Sequence, residues 1–122
     1  MRRCLLKQMR TDSEYGVTKP CCKENALVYA RSKKEEYDEV EISSQLLEIS
    51  DIKDSAGNNI FQENSKKIYG WLIFIDEVPF ANWGHLCKYI FYVGKSDGME
   101  EVYFEENALF PPNDTFSMEG VE

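Results

Sequence analysis

The sequence has little of several things, and each shortage removes a class of protein. It holds one histidine in 122 residues, so sites built on two imidazoles, such as a His-Glu-x-x-His zinc helix, are excluded. No Gly-x-x-x-x-Gly-Lys-Ser/Thr loop leads into a helix, so the usual phosphate cradle is missing. Gly-x-Ser-x-Gly and Cys-x-x-Cys are also missing, which removes the nucleophile elbow and the common redox and zinc-knuckle patterns. No apolar run exceeds five residues, as in Trp71–Ile75, far short of a membrane-spanning helix. The start has only Leu5-Leu6 as an apolar step, too little for the core of a secretory leader. The expected location is therefore cytoplasmic, and Cys4, Cys21, Cys22 and Cys87 are expected as reduced thiols.

Positive charge is scarce over most of the chain. The net charge is −8, but it is unevenly spread. Residues 1–34 carry +6 and residues 35–122 carry −14. Residues 35–52 hold seven acids and no base, and residues 96–122 hold eight acids and no base. Such a surface repels phosphate, which argues against nucleic acid as a partner. The cluster Arg2, Arg3, Lys7, Arg10 is the one local exception. Either the basic start (1–25) lies against the acidic body, or the acidic face meets a partner protein with a basic surface.

What the chain has in plenty is aromatic and β-branched residues. Aromatics make up 13% of it, which argues for a packed core rather than disorder. The length fits a single domain spanning 1–122. Residues 38–43 alternate, with Val40 and Ile42 on one side and Glu39 and Glu41 on the other, the period of a half-buried strand. Ala26–Ser32 reads as a strand, as does 3–9, and "SAGNN" reads as a hairpin turn before a second arm at 59–64. Residues 45–54 read as a further strand, and the polar tail 111–122 is expected to fray.

The centre is a pair of doubly apolar segments. In 68–76, Tyr69, Trp71, Ile73 and Ile75 oppose Ile68, Leu72 and Phe74. In 86–93, Cys87, Tyr89, Phe91 and Val93 oppose Leu86, Ile90 and Tyr92. Strands apolar on both faces belong in the covered middle of a sheet. The expected fold is mainly β, a sandwich or barrel of about six to seven antiparallel strands. The alternative is α+β with one helix near 35–50. Strands this apolar also allow a homodimer through a shared sheet.

The segment joining them, "DEVPFANWGH", is longer than a tight hairpin needs. It gathers the candidate site residues Asp76, Glu77, Phe80, Asn82, Trp83 and His85. Phe80 and Trp83 either cap the end of the core or present aromatic anchors to a partner. Asp76 or Glu77 across the hairpin from His85 would make an acid–imidazole pair, the orienting half of a general base. Cys87, two residues on, is the nearest nucleophile, but an apolar strand favours an inert thiol.

His85, Cys87, Cys21 and Cys22 supply the right donor number for zinc at poor spacing. "DIKDSAGNN" lacks the regular series of a calcium loop. No cofactor, metal or catalytic residue is expected. The leading functional expectation is a small acidic non-enzymatic binding protein of the immunity, inhibitor or accessory type. One alternative is a small-ligand-binding β-barrel or sandwich with its pocket at the 76–85 loop. Another is a Cys/His zinc-stabilised module or small enzyme.

Overall fold

A computed structural model describes residues 23–61, 67–79, 85–96 and 99–122. The protein is mainly β: the described residues form an antiparallel six-stranded sheet with one helix. Helix α1 (Lys23–Lys33) comes first, followed by β1 (Glu39–Ser43), β2 (Leu47–Glu48) and a 3-10 turn (Ile49–Asp51). Then come β3 (Tyr69–Asp76), β4 (Cys87–Ser96), β5 (Met99–Ala108) and β6 (Met118–Val121). The strand order is β5-β4-β3-β1-β6, with β2 pairing β3 beside β1. As the two-sided apolar pattern requires, β3 and β4 lie side by side in the interior, in the register Ile73↔Ile90.

Each face of this central pair has its own core. On one face Ile73, Ile75, Ile90 and Tyr92 pack with Val40 and Ile42 of β1 and with Ala26 and Ala30 of α1. On the other, Leu72, Phe74, Tyr89 and Phe91 pack with Ile49, Ile52 and Phe61 from the segment between β2 and β3. Phe74 and Tyr89 meet edge to face, with ring centroids 5.1 Å apart, a favoured aromatic geometry.

Helix α1 replaces the strand expected at Ala26–Ser32, and it lies before 35–50 rather than within it. Its buried residues are Ala26 and Ala30, four apart and therefore on one helical face. Both are fully covered, whereas the β-branched Val28 is 58% exposed. Alanine is the best helix former and its small size lets the helix lie close on the sheet. Glu24 in the first turn and Arg31 and Lys33 in the last suit the helix dipole. Residues 35–50 hold β1 and β2, and the strand expected over 45–54 shrinks to Leu47–Glu48 before the 3-10 turn.

The tail does not fray. Residues 118–121 pair with β1, in the register Val40↔Val121 and Ser43↔Met118. Ahead of β6, residues 111–113 are clipped to the turn at 54–58. Ser55 N–H donates to Pro111 O at 2.8 Å, and Asn113 N–H donates to Lys53 O at 2.8 Å. The turn itself is built on buried Asp54, whose carboxylate accepts from the N–H groups of Ala56 and Asn58, both at 2.9 Å. Gly57 takes the positive φ of 88° that this turn needs. Residues 1–22 of the basic start, with the strand expected at 3–9, lie outside the described residues.

Strand β3 changes partner along its length. Its C-terminal half pairs with β1 and its first residues pair with β2, with a break between them. At that break the fully buried Ser43 hydroxyl accepts the Leu72 N–H at 3.0 Å. A side chain thus fills the place of a missing backbone acceptor, as a buried N–H demands. Gly70 sits beside the break. A Cβ there would lie 2.5 Å from Tyr92 O and 2.9 Å from a Phe91 ring carbon, so only glycine lets β3 and β4 approach this closely.

Candidate functional site

The β3–β4 connection is closed at its base by side chains. His85 Nε2 and Asp76 Oδ1 are 2.9 Å apart, and both side chains are largely buried. The same Asp76 oxygen accepts the Val78 N–H at 2.9 Å, turning the chain as it leaves β3. Of the two acids expected to face the histidine, Asp76 is the partner. Glu77 points away and pairs with Lys88 at 3.0 Å on the surface. Phe80, Asn82 and Trp83 lie outside the described residues, so the aromatic part of the expected site is not placed.

Cys87 shares this end of the sheet and works against nucleophilic chemistry. It is 1% exposed, and its thiol is directed at the carbonyls of Ala108 (3.5 Å) and Phe110 (3.6 Å) rather than at His85. Burial, assisted by the charges of Asp76 and Asp54, pushes its pKa up to about 11. A thiol held neutral is not a nucleophile at ordinary pH. Burial likewise raises the neighbouring Tyr89 phenol, which donates to Phe110 O at 2.8 Å. The Cys/His pairing therefore lacks its nucleophile.

Among the described residues no group of three or more His, Cys, Asp or Glu is arranged to hold a metal ion. Cys21 and Cys22, the other half of the considered zinc set, lie outside them. Gly94-Lys95-Ser96 ends β4 and leads into a strand rather than a helix, so it forms no phosphate loop. Among the described residues no helix is long and apolar enough to cross a membrane.

Carboxylates gather at two places. On β1, Glu39 faces Asp76 across the strands and Glu41 faces Phe74. The Glu41 carboxyl is raised above its usual range, first by partial burial and then by the charges of Glu39 and Asp76. Glu39 and Glu41 line an open concavity together with Lys34, Asp38, Val121 and Glu122.

The second gathering is β5, at one end of the strand order, with Glu100, Glu101, Glu105 and Glu106 and no base in its ten residues. Glu100 and Glu101 accept from the hydroxyls of Tyr92 (3.0 Å) and Tyr103 (3.2 Å), neutral donors that leave the charge in place. Among the described residues, lysine–carboxylate pairs are limited to Lys23–Glu119 and Lys88–Glu77.

One residue at this edge went unread in the sequence. Phe104 lies in β5 between Tyr103 and Glu105 and is 52% exposed. Only the packing of α1 decides this, and no local pattern announces it. No family model, curated protein or solved structure matches the chain.

Proposed function

We propose that this chain is a small, acidic, non-enzymatic binding protein that covers a basic surface of a partner protein, as immunity proteins, inhibitors and accessory subunits do. The observation that supports it is β5, an end strand with four glutamates and no base among its residues. A carboxylate field of this kind steers a cationic partner into encounter and discriminates against others. The His85–Asp76 contact fixes the end of the β3–β4 connection without supplying chemistry, because the nearest thiol is buried and neutral. Charges on an end strand also discourage strand-to-strand aggregation, so the reading needs a test that separates recognition from solubility.

That test is capture on the immobilised full-length chain at low salt, followed by identification and purification of the retained protein. Its affinity is then measured at about 0.01 M and 0.15 M ionic strength. Recognition through the acidic face predicts a loss of at least about tenfold between the two salts. It also predicts a clear loss when Glu100, Glu101, Glu105 and Glu106 are changed together to Gln. A complex indifferent to both changes, or no retained protein, refutes the proposal.

A further inference from the structure

The helix-side face of the sheet is covered unevenly. Helix α1 lies over β4, β3, β1 and β6 and leaves β5 at the margin. Val102 is half-buried against the helix-side core. Phe104, two residues on and opposite Ile90, shares that face and is 52% exposed. One step past the Cys87–Ala108 pair, Leu86 just before β4 and Leu109 just after β5 are 53% and 44% exposed. Large apolar side chains scattered singly over a surface need no explanation. Here Phe104 lies on β5, and Leu86 and Leu109 adjoin the paired ends of β4 and β5.

The charges around them are lopsided. Glu100 and Glu106 belong to β5. The lysine on this part of β4, Lys88, is already held by Glu77 at 3.0 Å.

We propose that this β4–β5 corner is the docking surface, with Phe104 as its anchor and the β5 glutamates as its rim. Its occupant is a partner protein presenting an apolar recess ringed by lysine or arginine. The proposal rests on the binding reading above and names the surface and the chemistry of the partner. Charge selects the occupant. A second copy of this chain would set β5 glutamates against β5 glutamates, and like charges brought together at an interface disfavour association. A neutral apolar surface would strip water from Glu100 and Glu106 and return nothing for it. A recess ringed by cations covers the aromatic ring and pairs the rim in one contact, the arrangement of a central anchor within a polar border.

The test places a photo-activated cross-linker in the full-length protein in cells, as Phe104→p-benzoylphenylalanine and separately as Tyr37→p-benzoylphenylalanine. Tyr37 is 72% exposed and follows α1. The expected result is a cross-link from position 104 to one identified protein at a basic, apolar-centred site. For that purified protein, Phe104→Ala should weaken binding by about tenfold or more, with an unchanged circular dichroism spectrum. Glu106→Gln should act mainly on the association rate.

Cross-links from 104 only to this chain's own residues, including 1–22, or to a second copy overturn the proposal. So does a Phe104→Ala complex within about twofold of the parent. A partner caught from position 37 and not from 104 overturns the docking surface while leaving the binding function standing. Capture from neither position removes both.

Discussion

Gly70→Ala replaces a hydrogen by a methyl group in a place with no room for it. The new Cβ would sit 2.5 Å from the Tyr92 carbonyl oxygen, where ordinary contact begins at 3.4 Å. The Phe91 ring, at 2.9 Å, could rotate away, but it is fully buried in the core on that side. The carbonyl belongs to the backbone of β4 beside the Trp71↔Tyr92 pair, so displacing it disturbs the central ladder. Overpacking of this kind costs about 1–3 kcal/mol, and a weakened buried hydrogen bond adds about 1 kcal/mol. The stiffer unfolded chain offsets about 0.4–1 kcal/mol.

The net expectation is a loss of about 2–3 kcal/mol. With a urea slope of about 1.5 kcal/mol/M, that moves the unfolding midpoint down by about 1.3–2 M. Gly120→Ala is the control, because nothing lies within 4 Å of its Cβ position. It should stay within about 0.5 kcal/mol of the parent. If Gly70→Ala unfolds at the parent's midpoint with the same slope, β3 and β4 do not approach as described and the account of the sheet centre fails.

Three further outcomes follow from the same structure. Ser43→Ala leaves the buried Leu72 N–H without its acceptor, which should cost about 1–3 kcal/mol; hydrogen exchange at Leu72 no faster than in the parent would refute this. Glu41→Gln should stabilise the protein at neutral pH. The folded-state pKa of Glu41 is raised above 4.5, so the native state is penalised once the group ionises. The gain should be full above the folded pKa and vanish as pH falls below the unfolded value, and urea midpoints at both ends check the sign. In a variant with Cys4, Cys21 and Cys22 changed to Ser, Cys87 should resist a disulfide-exchange reagent at pH 8 and react on unfolding, since its pKa is near 11. Rapid reaction of the native protein would contradict its burial.

The centre of the fold was legible because β3 and β4 are apolar on both faces, a pattern that only a covered sheet interior explains. Val40 and Ile42 were readable for the same reason, since burial and alternation agree along β1. The helix was not readable. Ala-Leu-Val-Tyr-Ala contains both a strand's branched and aromatic residues and a helix's two alanines. The choice is made by a sheet face that admits only small side chains at 26 and 30. The tail misled because its polar composition hides where its hydrogen bonds go. Asn113 and Ser117 use backbone contacts to Lys53 and Ser44, about half the chain away or more, and no local window carries that information. At the site, hairpin geometry brought an acid to His85 but left Asp76 and Glu77 undivided, whereas the exposure of Phe104 depended on how far the helix reaches.

Val40 and Val121 are neighbours in the sheet, although about 80 positions separate them along the chain, a costly closure for a small protein. The β3–β4–β5 meander needs only short-range closures, so it can assemble early, and β6 must arrive last. The same ordering runs backwards under stress. Amides of residues 118–121 should be the first of the sheet to exchange, releasing a bare flank on β1 while the meander stays intact. A peptide copying those final residues would then compete for the vacated flank.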